Sequence, residues 1–138
     1  MATQLQDNFL EDVAAGNVVV ATDTFKMMLM TSSYTPNKAH LKRNSVTNEV
    51  TGTGYTAGGA TCTVTIAKDT TNHRTSISIS NTSWSTATIT ARYAMVYKSR
   101  GGASSADELV GLLDFGADIV STGGTFQVSQ TTPFYINH

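Results

Sequence analysis

The chain has 138 residues and is poor in charged side chains but rich in small hydroxyl side chains. Thr and Ser occupy 23 and 13 positions, 36 in all, whereas 9 basic and 10 acidic residues make only 19 charged positions. Helical bundles and coiled coils are excluded, because their exposed faces need Glu, Lys and Arg. The net charge of −1 provides no basic field for nucleic acid or an anionic membrane, so neither is an expected partner.

The residues that carry chemistry are few and scattered. Cys62 is the single cysteine, which excludes an intramolecular disulfide framework and a thiolate metal cluster. The three histidines, His40, His73 and His138, do not stand at metal-ligand spacing. No stretch approaches the ~20 apolar residues of a membrane span. We therefore predict no catalytic residue, no cofactor and no metal, and do not expect an enzyme.

Residues 1–16 are predicted to form a short amphipathic helical arm. Thr3 and Gln6 fit a capping box, and Gly16 stands where a helix commonly ends. A helix of this length is marginal alone and must dock, either on its own sheet or on a neighbouring subunit. The apolar face consists of Leu5, Phe9, Leu10 and Val13.

From residue 17 onward the apolar residues recur with a period of two, which is typical of strands. The first predicted strand covers residues 25–30 and is apolar on both faces, so we expect it to be covered on both sides. Residues 38–50 form the most basic stretch and are predicted to be a loop or edge excursion. It contains three cations, Lys38, Lys42 and Arg43, and one acidic residue, Glu49.

The glycines at positions 52, 54, 58 and 59 predict a flexible connection. A strand with Cys62, Val64 and Ile66 on one face follows, and then a hairpin partner that buries Ile77 and Ile79. In the next strand the predicted common face consists of Ala87, Ile89, Ala91, Tyr93, Met95 and Tyr97.

The last third of the chain is predicted to contain three strands, at residues 109–115, 126–128 and 134–136. Turns are expected at residues 116–118 and at Gly123 and Gly124. The whole pattern predicts an all-β fold, an antiparallel β-sandwich or barrel of six to eight short strands with a short N-terminal helix. Residues 17–138 would form a single β-sandwich domain.

Four segments resemble small structural proteins of tailed-bacteriophage virions. They are DTFKMMLM at residues 23–30, SSYTP at 32–36, EVTGTGYTAGG at 49–59 and WSTATITARYA at 84–94. The resemblance covers most of the chain, roughly residues 23–116, and brings no catalytic residue with it. It implies an all-β particle protein, located in the virion and made in the host cytoplasm.

The resemblance leads to the expectation of a non-enzymatic protein that decorates or cements the outer surface of the head. The expected partners are other virion proteins, above all the major capsid protein, and further copies of this chain. A tail, baseplate or fibre component is the second hypothesis, and a carbohydrate-binding adhesin that uses Tyr55 and Trp84 is the third. The candidate contacts with the head are Leu5, Phe9, Leu10, Lys38, Lys42 and Arg43.

Overall fold

The computed structural model describes residues 1–137, and His138 lies outside the described residues. Within this range the chain forms eight strands, one α-helix and two single-turn 3₁₀ helices, at Arg43–Ser45 and Ser104–Ala106. The helix α1 covers Asn8–Ala14. The strands are β1 Ala2–Leu5, β2 Phe25–Met30, β3 Ala60–Cys62, β4 Val64–Asp69, β5 Arg74–Ile79, β6 Thr82–Lys98, β7 Leu109–Val128 and β8 Phe134–Asn137.

The strands form two antiparallel sheets that pack as a β-sandwich, which confirms the predicted fold class. The larger sheet has the order β1-β7-β6-β2-β3 and the smaller has the order β4-β5-β8. The main apolar core draws on both sheets, with Phe25, Met27 and Val96 from the larger and Ile77 and Phe134 from the smaller. The chain passes from one sheet to the other at Thr63, between β3 and β4.

The larger sheet is buried on its second face as well, as the apolar pattern of β2 predicts. Phe25, Met27 and Leu29 belong to the main core, whereas Met28 and Met30 belong to a second apolar cluster. Tyr34 and Val46 also belong to this second cluster, which shows that residues 31–50 cover the second face of the larger sheet. The other members of the second cluster are Tyr93, Met95, Tyr97, Leu109 and Leu112.

The two long strands depart from the predicted pattern at bulges. The pairing of β6 with β7 shifts between Ala91 and Tyr93, where Arg92 is an extra residue in the alternation. Ala87, Ile89 and Ala91 consequently face the main core, but Tyr93, Met95 and Tyr97 face the second cluster. The prediction that these six residues share one face is therefore wrong, because one inserted residue reverses the phase of a period-two pattern.

The predicted turns in the last third of the chain are bulges inside the single 20-residue strand β7. Asp114 lies opposite Tyr93 and Ile119 lies opposite Ala91, so residues 115–118 loop out of the ladder without ending the strand. Gly116 supplies the left-handed backbone that this bulge needs, with a φ of +82°. The glycine and aspartate that indicate a turn serve a bulge instead, because β6 continues alongside and keeps the chain paired.

The N-terminal arm is integrated into the sandwich and is not a helix from Thr3. Ala2–Leu5 form the edge strand β1, which pairs with β7, and α1 begins only at Asn8 with Asp7 as its N-cap. Gln6 is buried between these elements, and its Nε2 donates hydrogen bonds to the carbonyl oxygens of Asn37 and His40. The first residues become a strand because the edge of β7 offers them backbone partners, which a local capping pattern does not reveal.

Phe9 and Leu10 provide a matched test of this docking, because they are neighbours on α1 with opposite exposure. Phe9 is 1% exposed and lies in the main core, whereas Leu10 is 56% exposed. We expect Phe9→Ala to lower the free energy of unfolding by about 3–5 kcal/mol and Leu10→Ala by less than about 0.5 kcal/mol. Urea unfolding followed by circular dichroism measures both, and equal effects would contradict the docked arrangement.

Candidate contact surface

The N-terminal residues predicted to contact a capsid differ widely in their accessibility. Phe9 is buried in the main core, and Leu5 is partly buried and packs against the same core. Phe9 cannot contact another molecule, so its prediction is corrected, whereas the partly buried Leu5 stays a predicted contact. Leu10 points away from the core and stays available. The apolar face of α1 thus packs on the sheets of its own chain through Phe9.

Two of the three predicted basic contacts are bound to buried carboxylates. Arg43 Nε lies 2.8 Å from Asp107 Oδ2, and Lys42 Nζ lies 3.6 Å from Glu108 Oε1. Asp107 and Glu108 are each 1% exposed, and Glu108 also receives both arms of Arg100 at 2.7 and 2.9 Å. Lys42 and Arg43 thus bind buried carboxylates of their own chain, and their role as contacts with a partner stays a prediction.

Lys38, also in the predicted basic set, is exposed and lies beside the N-terminal arm. The Asp7 amide donates to the Lys38 carbonyl oxygen at 2.9 Å. Leu41 is also exposed, although the sequence predicted no contact for it. Its carbonyl oxygen accepts a hydrogen bond from the Leu109 amide. The Leu109 carbonyl in turn accepts from Asn8 of α1. These contacts bring α1 and the start of the basic loop together on one side of the molecule.

The ion pairs around Glu108 create a carboxylate that resists protonation. Burial alone would raise the pKa of Glu108, but hydrogen bonds from Arg100 and the charges of Lys42, Arg100 and Lys98 hold that pKa below its usual 4.5. Asp23 behaves in the same way. Burial would raise its pKa, but the Val19 amide and Lys98, whose Nζ is 2.9 Å away, hold it below 3.8. Both carboxylates are therefore charged at neutral pH.

The glycine-rich stretch is closed by Glu49 and is not a flexible connection. Glu49 Oε2 accepts hydrogen bonds from the Tyr55 hydroxyl at 2.6 Å and from the Gly58 amide at 2.7 Å. The Tyr55 hydroxyl itself accepts from the Leu29 amide at 3.0 Å, and burial raises its pKa. A Cβ added to Gly59 would lie only 1.7 Å from the Met27 carbonyl oxygen, so the glycine permits the loop to lie directly on β2.

The two aromatic residues considered for sugar binding meet in space, but they face the core. The rings of Tyr55 and Trp84 are 5.9 Å apart, and Trp84 also packs edge-on against Phe126. Trp84 is 6% exposed and belongs to the main core. Its ring has no open face on which a sugar could stack, so the predicted sugar-binding pair is corrected to a packing contact.

Four exposed apolar residues lie at positions for which the sequence predicted no contact. Ile119 and Val120 are exposed on the part of β7 that extends beyond β1. Val19 and Ile66 are exposed beside a cavity of about 530 Å³. The alternation of apolar and polar residues predicts that Ile66 is buried like Val64, and this prediction is wrong. Only Val64, the first residue of β4, is buried.

Comparison with protein-family models, with curated proteins and with solved structures finds no match to this chain. Within residues 1–137, no group of three or more His, Cys, Asp and Glu side chains is placed to hold a metal ion. No helix in the described part of the chain has the length and apolarity needed to cross a bilayer.

Cys62 is buried as predicted, and burial raises the pKa of its thiol to about 12.

The lowered pKa of Glu108 predicts sensitivity to acid. A carboxyl whose pKa is lower in the folded state stabilises the fold above its unfolded pKa of 4.5, and this stabilisation is lost as the pH falls through the folded value. Glu108→Gln should lower the free energy of unfolding at neutral pH by about 1–3 kcal/mol, because it loses charged hydrogen bonds. It should also flatten the loss of stability on acidification.

Urea unfolding of wild type and Glu108→Gln from about pH 7 to about pH 3 measures both effects. Asp118→Asn, at an exposed position of β7, is the control and should keep the wild-type dependence on pH. If Glu108→Gln loses stability on acidification as steeply as wild type, Glu108 does not carry the effect.

Gly59 and Gly116 test the closed loop, because both have a φ of +82° but only Gly59 meets neighbouring backbone. Gly116→Ala should cost about 1 kcal/mol of stability, which is the ordinary strain of a left-handed alanine. Gly59→Ala should cost at least about 2 kcal/mol more, because the loop must lift from β2. Thermal unfolding of the two variants measures the difference, and equal losses would show that the loop does not rest on β2.

Proposed function

We propose that this chain is a non-enzymatic structural protein of a tailed-bacteriophage virion that decorates the outer surface of the head and binds the major capsid protein. The observation that carries the proposal is the resemblance over residues 23–116. The structure adds that the resembling segments supply fold-determining positions: Asp23 pairs with Lys98, Tyr34 covers the larger sheet, and Glu49 closes the loop that rests on β2. The likeness therefore falls on residues that build the sandwich.

The exposed surface supports a role in an assembly. Along β6 the exposed positions between the buried residues are Ser83, Ser85, Thr86, Thr88 and Thr90, so this surface is hydroxyl-rich and uncharged. Packing neutral hydroxyls against another protein costs less desolvation than packing charges. A decoration protein that binds the assembled lattice in preference to free subunits stabilises the lattice through that difference in affinity.

The candidate contact with the head is the patch formed by α1 and the start of the basic loop. Among its exposed side chains, the ones proposed for the contact are Leu10, Lys38 and Leu41, two apolar groups and one cation. The hydrogen bonds from Asp7 and Gln6 to residues 37–40 hold the two segments in one rigid surface. Such a patch combines apolar area with a charge that fixes orientation, which is the usual composition of a specific interface.

Binding to heads purified from the phage that encodes the chain tests this contact. Leu10→Glu combined with Lys38→Glu should reduce the bound fraction at least roughly tenfold, through the loss of apolar area and a reversal of charge. Val120→Glu introduces the same residue at an equally exposed apolar position on another surface and should bind as wild type. Deleting residues 1–16 would not be a clean test, because β1 and Phe9 belong to the fold.

Wild-type occupancy by the double variant would overturn the contact, and loss of binding by Val120→Glu alone would move the contact to β7. Labelling of the protein in intact particles then separates head from tail. Label on the tail, baseplate or fibres, with none on the head, would replace decoration by the second hypothesis.

A further inference from the structure

The strand β4 presents a free and regular edge. Its six residues pair with β5 without a bulge, and no other strand within residues 1–137 pairs with its second side. Residues 64–67 contain no charge, proline or glycine, the features that usually protect an exposed edge. The other outer strands, β1, β3 and β8, have only three or four residues each. β4 is thus the edge best suited to strand addition.

An apolar groove runs beside this edge. It has a volume of about 530 Å³ and no charged residue in its lining. Two of the lining side chains, Val19 and Ile66, are each 45% exposed. The lining residues are Val13, Val18, Val19, Val20, Ala21, Val64, Thr65 and Ile66. An open edge next to exposed apolar side chains is the arrangement that accepts an added strand, with backbone bonds on the edge and alternate side chains in the groove.

We propose that β4 pairs antiparallel with β4 of a second copy, about a two-fold axis at Ile66, to form a homodimer. The two three-stranded sheets then become one six-stranded sheet with the order β8-β5-β4-β4-β5-β8. Each copy supplies the same edge and the same apolar side chains, as a two-fold symmetric interface requires. In this register Val64 lies opposite Lys68 of the second copy, and Thr65 lies opposite Ala67.

The charges favour a second copy as the occupant. Lys68 and Asp69 are the charged residues of β4, and in this register neither faces a like charge. Asp69 is already paired with Arg74 in its own hairpin, at 3.3 Å. Lys68 of the second copy comes to the Val64 end of the groove, whose helical wall α1 carries Glu11 and Asp12 and no basic residue. The added strand therefore brings a cation close to a helix whose only charged residues are acidic.

The size of the interface sets the expected strength. Five paired residues of each β4 and a shallow groove bury less than the ~800 Å² per partner of a standard interface, so a dissociation constant of roughly micromolar order is expected. Sedimentation velocity of the full chain across that concentration range measures it. Because the measurement contains no phage particle, its result does not depend on the proposed role on the head.

Ile66→Lys should raise the dissociation constant at least roughly 100-fold, because it buries an unpaired ammonium group at the axis. Val120→Lys, at an exposed apolar position of β7, is the matched control and should change the constant by less than about twofold. Thermal unfolding near that of wild type shows that both variants fold. Lys68→Gln should weaken the dimer and remove most of its dependence on salt.

Ile66→Cys tests the register directly. A residue on the two-fold axis faces its own copy at a Cα separation of about 4.5–5.5 Å, within the range of a disulfide. Mild oxidation should therefore cross-link Ile66→Cys into a covalent dimer much faster than Val120→Cys. Cys62 does not compete, because it is buried.

Three results would overturn the proposal. Wild type that stays monomeric up to roughly millimolar concentration excludes the dimer. A dimer that Val120→Lys dissociates and Ile66→Lys does not would use β7. A monomeric wild type whose binding to heads is lost in Ile66→Lys would show that the groove takes a strand of another virion protein.

Discussion

Strands β2 and β6 carry apolar side chains on both faces, and both faces must be kept from water. One face is covered by the second sheet of the sandwich, which requires β4, β5 and β8. The other face is covered by residues 31–50, with Tyr34 and Val46 at the centre of the cover. Residues 31–50, which form no sheet, therefore act as a third layer of the fold.

Several charged residues of the chain hold this cover on the sheet. Residues 31–50 have little regular structure, so side-chain bonds must hold them in place. Arg43 is bound to Asp107, Lys42 to Glu108, and Glu49 to the hydroxyl of Tyr55. These three bonds engage five of the 19 charged residues, and two of the five, Asp107 and Glu108, are buried. The exterior is rich in hydroxyl groups because Thr and Ser outnumber the charged residues 36 to 19.

The surfaces proposed for partners combine exposed apolar side chains with few charges. Leu10, Lys38 and Leu41 are exposed on α1 and the start of the basic loop, and Val19 and Ile66 border the open edge of β4. The proposed contact with the head uses Leu10 of α1, and the groove of the proposed dimer is lined by Val13 of the same helix, so the two surfaces adjoin. A weak pairing between copies would gain strength on a lattice, because each bound copy raises the effective concentration of the next.

The alternation of apolar and polar residues is enough to predict the all-β class, the two-sided burial of β2, the hairpin of β4 and β5 and the burial of Cys62, because strand alternation is a local property. Whether Leu5 lies in a helix or a strand depends on the folded chain, since the edge of β7 supplies its partners. The face that Tyr93 occupies depends on it too, because Arg92 is inserted at a bulge. The pairing of Arg43 with Asp107, 64 residues away, likewise arises only when the folded chain brings distant segments together.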